Sequence, residues 1–296
     1  MSLTLKQIVD FQTYGYLIAE DIFTEADMQP VIDELNKLID ERARALLAEG
    51  KITDLHENEP FEKRIALLSK QSREINRNID IMEYRGPAMF EFLKNEKLLN
   101  VVECLLGREL SCNPIQHLRA KLPWSGTGEQ PPEENVPWHQ DAAVTQADSE
   151  ASEIITFWMP LVDATAATGC MEIMPEVFKL GYLEHQGEGG TTIVPQLLPH
   201  VKTVAAECRK GGIVMMNKYT PHRGTSNRSD IVRWSLDLRF HKTGAKSGRS
   251  FHPSFVVRSS ADPGSVLNDH AEWNHMWEEA LSKPMQNRHR VEETVK

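Results

Sequence analysis

The sequence predicts a mainly β protein with flanking helices, built as a double-sheet jelly roll. Short segments of alternating or continuous apolar character crowd the stretch from about residue 111 to 260. The residues before them carry apolar positions at helical spacing instead. The chain also has no internal repeat, so its 296 residues read as one domain. That domain has a mainly helical part over 1–110, a β core over 111–260 and a C-terminal helix within 261–296.

In chain order, residues 2–7 can start a short helix, and Tyr16-Leu17-Ile18-Ala19 reads as a strand. Thr24, followed by Glu25 and Asp27, has the form of an N-cap with acidic first-turn residues. From there to Ala48, Val31, Leu35, Leu38, Ile39 and Leu46 recur at helical spacing. Residues 88–106 repeat the pattern as one helix through Phe92, Leu93, Leu98, Leu99 and Val102, with Gly107 as its stop. Between these helices Arg64, Arg73, Arg77 and Arg85 are interleaved with Ile65, Leu68, Ile75 and Ile81. The preferred reading is a solvated amphipathic surface; the other is that one or two of the arginines face a pocket and meet an anionic substrate.

Residues 114–122 alternate as a strand, and 123–137, rich in Gly, Pro and Glu, form a loop. Residues 154–162 are a strong strand, with Ile154, Thr156 and Trp158 on one face and Ile155, Phe157 and Met159 on the other. Residues 181–199, with Gly187, Gly189 and Gly190, read as a mobile excursion. Residues 201–207 and 212–217 read as paired strands that turn at Arg209-Lys210-Gly211. A strictly alternating strand over 232–240, a polar loop and a strand through Phe255, Val256 and Val257 follow. Trp273, Met276, Trp277 and Leu281 mark the apolar face of a terminal helix. Together these elements fit a jelly roll of the cupin type with helices packed on one side.

A charged fraction of 26% and an apolar fraction of 40% suit a soluble globular chain. The net charge of −10 argues against nucleic acid as a partner, because phosphate binding wants a basic surface. It leaves room for an anionic small-molecule substrate in a local basic pocket. No apolar run reaches the length of a membrane span, and Asp10, Glu20 and Asp21 interrupt the N-terminal apolar pieces, so a cytoplasmic protein without a membrane partner is expected. Cys104, Cys112, Cys170 and Cys208 include no CxxC pair and read as buried reduced thiols.

Chemistry concentrates in Trp138-His139-Gln140-Asp141 and in Tyr219-Thr220-Pro221-His222. On an extended segment His139 and Asp141 leave the same face, and a buried strand over 211–217 can deliver His222 to a loop at its end. Two imidazoles and one carboxylate on one side of a metal ion leave its other positions open, the facial arrangement of non-haem Fe(II) oxygenases. Arg233 stands eleven residues after His222. Its strand carries Arg233, Ser235, Asp237 and Arg239 on one face and Val232, Trp234, Leu236, Leu238 and Phe240 on the other. The polar face is either washed by solvent or lines a barrel interior, where a guanidinium can hold a carboxylate bidentately. Inside, Asp237 and Arg239 need partners: each other or a neighbouring strand by preference, or, for Arg239, an acidic substrate. His117, His185, His200, His241 and His252 read as surface residues.

The chain resembles the phytanoyl-CoA dioxygenase family of Fe(II)/2-oxoglutarate oxygenases. The likeness rests on Pro137-Trp138-His139-Gln140-Asp141, on residues 169–175 after the strand bearing Trp158, and on His222 with Arg233-x-Ser235 at the family's spacing. Residues 11–18 look like the family's opening, and the likeness runs to about Phe240. It implies a double-stranded β-helix, with His139, Asp141 and His222 as catalytic iron ligands. It further implies Arg233 and Ser235 on the distal carboxylate of 2-oxoglutarate, Trp158 flanking it, and Gln116 as another co-substrate contact. The implied reaction uses O2 to decarboxylate 2-oxoglutarate to succinate while a C–H bond of a small organic substrate is hydroxylated. Desaturation or ring formation at the same iron are alternative outcomes. A silent metal-binding or sensory relative is the alternative class, which the intact Arg233 and Ser235 speak against. The carboxylate of Asp141 disfavours halogenation, and no motif for a CoA nucleotide is present.

Overall fold

The computed structural model describes residues 2–131, 135–187, 191–284, 286 and 290. Gly189 and Gly190 of the predicted excursion lie outside the described residues, as do 132–134 of the predicted loop. Helix α1 (Leu5–Tyr14) opens with a reciprocal capping box: the Thr4 hydroxyl accepts from the Gln7 N–H, and the Gln7 side chain accepts from the Thr4 N–H at 2.9 Å. It ends at Gly15, whose φ of 78° and closeness to the Phe178 ring exclude a side chain. The chain passes directly into β1 (Tyr16–Ala19). Helix α2 (Glu25–Ala48) starts where the Asp27 carboxylate accepts from the Thr24 N–H at 2.7 Å.

Helices α3 (Phe61–Gln71), α4 (Pro87–Leu93) and α5 (Glu96–Leu106) complete the N-terminal part. The single helix predicted over 88–106 is thus two. Asn95 turns its side-chain oxygen onto the N–H groups of Lys97 at 2.9 Å and Leu98 at 3.3 Å, which caps a new helix. The arginine stretch contains α3, on which buried Arg64 pairs with Asp40 at 2.6 Å. Of the four arginines singled out there, Arg73 alone lines the central cavity.

The remaining strands are β2 (Leu110–Cys112), β3 (His117–Lys121), β4 (Ile154–Pro160), β5 (Met171–Ile173), β6 (His185–Gln186), β7 (Thr192–Ile193), β8 (Val204–Ala206), β9 (Ile213–Asn217), β10 (His222–Gly224), β11 (Arg233–Lys242) and β12 (Phe255–Arg258). A large antiparallel sheet runs β1-β9-β4-β11-β2-β12, with β3 also paired to β11; β10-β5-β8 form a second sheet and β6-β7 a separate pair. Trp158, Val214 and Met216 of the large sheet pack against Met171, Ile173 and Ala206 of the small one. The result is a mainly β, cupin-like jelly roll with flanking helices, open at one side rather than closed into a barrel.

Period two sorts the side chains of β11. Trp234, Leu236, Leu238 and Phe240 join Phe157 and Met159 of β4 in the core under the helices. Each such buried side chain contributes about 1.5–3 kcal/mol. Arg233, Ser235 and Arg239 are buried on the other face, so that face is interior and not solvent-washed. Residues 201–207 and 212–217 do not pair as predicted: β8 joins β5 in the small sheet and β9 joins β1 and β4 in the large one. The chain crosses between sheets at Gly211, with φ at 90°, where a Cβ would stand 2.7 Å from the Phe23 carbonyl oxygen.

Helix α6 (His270–Ser282) buries Trp273 and Trp277. Leu281 is 40% exposed, contrary to its predicted place on the apolar face. At 3.6 residues per turn it stands roughly 80° round the helix from Trp273, so the stripe drifts into solvent. No described helix is long and apolar enough to cross a membrane. All four cysteines are free; Cys104 is half-buried and the others buried.

Candidate metal centre

The two motif segments meet as an isolated antiparallel bridge. His139 and His222 exchange both backbone hydrogen bonds at 3.0 Å, which sets their side chains opposite one another. Their rings lie 4.1 Å apart, centre to centre. Asp141 heads a short 3-10 turn two residues on, and its Oδ1 is 3.9 Å from Nε2 of each histidine. The three ligand atoms all lie within 4.8 Å of one another. His222 does not sit in a loop after β9, as expected, but opens β10. The turn before it is braced by the N-terminal segment, because the Gly15 carbonyl accepts from the Thr220 hydroxyl at 2.6 Å and from the Asn217 N–H at 2.9 Å.

Each imidazole is fixed in one tautomer. Nδ1 of His139 donates to the Pro137 carbonyl and Nδ1 of His222 to the Thr220 carbonyl, both at 2.9 Å, so each Nε2 presents its lone pair to the cluster. Burial, and then His222, pulls His139 down to about 3, which keeps it neutral. Burial alone would push the Asp141 carboxyl up. Arg239, then the two histidines and the Thr156 hydroxyl, holds it well below the usual carboxylate range. Thr156 donates to one oxygen of Asp141 and Arg239 to the other, the latter at 2.5 Å. Two imidazole nitrogens and an ionised carboxylate are the donor set that a divalent iron takes.

The same cavity, about 610 Å³, is lined by Arg233, Trp158 and the three cluster residues. The Arg233 guanidinium lies 5.1 Å from the centre of the Trp158 ring and donates to the Ser235 hydroxyl at 2.9 Å. Its Nε has no hydrogen-bond partner, and burial, then Arg119, pulls the group down to about 10. A buried guanidinium with no ion-paired carboxylate among the described residues fits the distal carboxylate of an oxo-acid.

Gln116 is placed differently from the expectation. Its amide nitrogen donates to the carbonyls of Asn113 and Arg239, and its oxygen accepts from the Arg239 N–H at 3.1 Å. It pins β11 beside Arg239 rather than lining the cavity. Arg239 pairs with Asp141 and, at 3.3 Å, with Asp237, which answers the question of its partner. Of the histidines read as surface groups, His200 is exposed, whereas His241 and His252 are buried. His117 pairs with Asp80 at 2.8 Å, and His185 accepts from the Gln140 N–H at 3.0 Å. Sequence reasoning assigned no role to Thr156, Gln140, Arg119 or Lys121. Gln140 is fully buried and ties the 181–185 segment to the cluster by donating to the Gly181 carbonyl and accepting from the Leu183 N–H. Period two on β4, which puts Thr156 beside Trp158, was the one available signal among these.

A jelly roll carrying these groups on its inner face defines the class of non-haem iron and 2-oxoglutarate-dependent dioxygenases, which also use O2. The chain belongs to the phytanoyl-CoA dioxygenase (PhyH) family, whose model matches residues 11–235. No curated protein matches it. Solved structures that resemble it include the non-haem monooxygenase ThoJ, 20% identical over 95% of both chains with a TM-score of 0.57. Another is the epimerase SnoN in complex with Fe3+, α-ketoglutarate and nogalamycin RO, 15% identical over 83% of this chain and 87% of that one, TM-score 0.57. A third is the α-ketoglutarate-dependent carbocyclase SnoK, 15% identical over 90% and 94%, TM-score 0.53. At these identities the likeness speaks to the fold.

Proposed function

We propose that the protein hydroxylates a C–H bond of a small, acidic organic substrate. His139, Asp141 and His222 hold the iron, and Arg233 with Ser235 holds the distal carboxylate of 2-oxoglutarate. The observation that carries this reading is the meeting, in one cavity, of three ligand atoms within 4.8 Å and a buried guanidinium that has no ion-paired carboxylate among the described residues. When bound, the iron supplies oxidative decarboxylation of 2-oxoglutarate to succinate and CO2, coupled to oxidation of the substrate. The chain's own residues prepare it. The carbonyls of Pro137 and Thr220 hold the imidazoles in their binding tautomer, Arg239 and Thr156 aim an ionised Asp141, and Trp158 covers the guanidinium that seats the co-substrate. Free cysteines suit a reducing cytoplasm.

A second outcome at the same centre, ring formation or epimerisation, draws support from the similar folds of a carbocyclase and an epimerase. The test is anaerobic reconstitution with Fe(II) and 2-oxoglutarate, then oxygen and a panel of small acids, read by succinate release and by product mass. A gain of one oxygen marks hydroxylation, and loss of two hydrogens marks desaturation or ring closure. Arg233→Leu is expected to raise the KM for 2-oxoglutarate by orders of magnitude with iron retained, from the roughly 3–5 kcal/mol of a broken buried charge pair. An unchanged KM would reduce Arg233 to a structural role.

A further inference from the structure

Strand β3 pairs residue for residue with the strand that carries Arg233. Lys121 stands opposite Arg233, Arg119 opposite Ser235, and His117 opposite Asp237. Directly opposed residues of an antiparallel pair share a face, so β3 sends His117, Arg119 and Lys121 toward the interior face of β11, and all three line the cavity.

Most of the charge in the cavity is matched. Asp80 takes His117 at 2.8 Å, and Asp141 and Asp237 take Arg239 at 2.5 and 3.3 Å. Arg223 reaches out to Glu172 at 2.7 Å and Glu129 at 3.1 Å. Arg119, Lys121 and Arg233 have no ion-paired carboxylate among the described residues, although Lys121 and Arg233 are only 6% and 5% exposed. The Lys121 ammonium donates to the Asn135 side-chain oxygen and has two further hydrogens to give. Gly224 on β10 leaves room for it, since a Cβ there would stand 2.9 Å from Lys121 Nζ. Burial, and then the neighbouring Arg233, pulls Lys121 down to about 7, so an anion placed beside it would favour its charged form.

One carboxylate of 2-oxoglutarate answers Arg233. It leaves the two cations of β3 facing a cavity with room for a second small molecule. We propose that Arg119 and Lys121 form the substrate's own anion site, binding a carboxylate or phosphate group that the substrate carries. This rests on the reading in which Arg233 holds 2-oxoglutarate. It makes β3 the strand that selects the substrate, beside the strand that selects the co-substrate. It also places a basic patch inside a chain whose net charge is −10. Long neutral lipids are disfavoured as substrates by the same groups, because they would leave the buried Lys121 ammonium against apolar surface.

The experiment uses protein loaded with Ni(II) and saturating 2-oxoglutarate, in which no turnover intervenes. Isothermal titration calorimetry then measures the binding of phenyl phosphate, of benzoate and of benzyl alcohol as the neutral control. At least one anion is expected to bind and the alcohol not to, and the anion preferred identifies the group as phosphate or carboxylate. Arg119→Gln and Lys121→Met are each expected to weaken that anion at least about tenfold, the scale of a lost charge-assisted contact, while the Kd of 2-oxoglutarate moves less than about threefold. Arg119 is exposed, so its variant tests the site even if Lys121→Met folds poorly. Binding of neither anion, equal binding of the alcohol, or unchanged anion binding in Arg119→Gln overturns the proposal. So does a Lys121→Met variant that loses 2-oxoglutarate and keeps the anion. Arg233→Leu separates the two readings: retained 2-oxoglutarate binding there removes the co-substrate assignment and leaves the anion data on β3 to stand or fall alone.

Discussion

Replacing Arg239 by methionine tests how the carboxylate of the cluster is held. Asp141 is 1% exposed, and the Arg239 side chain, 3% exposed, donates to it at 2.5 Å. The same guanidinium pairs with Asp237 at 3.3 Å and donates to the Ile115 carbonyl at 3.2 Å. Methionine fills most of the volume but strands a buried carboxylate, and breaking a buried pair in this way costs roughly 3–5 kcal/mol. For a chain of this size about 2 °C of melting temperature is lost per kcal/mol, so the metal-free protein is expected to melt on the order of 6–10 °C lower. A divalent ion gives Asp141 a second cationic partner, and the deficit is therefore expected to shrink when Mn(II) is bound. Calorimetry of wild type and variant, each with chelator and with Mn(II), makes the comparison. A drop below about 2 °C without metal, or an equal drop in both states, would refute the argument that Arg239 stabilises the empty carboxylate.

The remaining expectations concern other parts of the same scaffold. His139→Ala, Asp141→Ala and His222→Ala should each strip the protein of Fe(II) under chelator challenge, and iron content equal to wild type in any of them removes that residue from the site. Thr156→Val removes the hydroxyl donor to Asp141 and should weaken metal affinity about 10–100-fold, as read by competition with a metallochromic indicator. His241 is buried, and burial lowers it to about 4. The native state therefore binds fewer protons than the unfolded chain below about pH 6.5, and stability present above that pH is lost as pH falls toward 4. Roughly 2 kcal/mol should disappear between pH 7 and 5, and His241→Gln should flatten that slope in urea titrations; an unchanged slope assigns the loss elsewhere. Gly211→Ala should cost about 1–3 kcal/mol, because φ of 90° and the Phe23 carbonyl both oppose a Cβ, and a urea midpoint like that of wild type would contradict this.

Some expectations failed for identifiable reasons. The apolar period runs in phase from Phe92 and Leu93 to Leu98 and Leu99, so nothing in the spacing announced that Asn95 ends one helix and caps the next. Residues 201–207 and 212–217 look like a hairpin because they are adjacent strands with a turn between them, yet they pair with β5 and with β1 and β4, partners far away in the chain. His241 and His252 passed for surface groups because a histidine's polarity says little about whether a fold will bury it. Gln116 faced the right region but hydrogen-bonds backbone, a role that a polar residue in a strand does not advertise.

What the amino-acid order determined unaided was local or carried by motif. Period two made the two faces of β11 visible before any sheet existed, the Thr24 cap placed the start of α2, and His139-x-Asp141 with His222 and Arg233 marked the residues that the fold gathers at one cavity. Tertiary structure decided that both faces of β11 are buried, that Arg239 answers Asp141, and that Lys121 stands beside Arg233 across 112 positions of chain. The division is physical. Periodicity and capping are settled by neighbours within one or two turns. Register and burial depend on which distant strands close against each other, and there the energies of many weak contacts are compared at once.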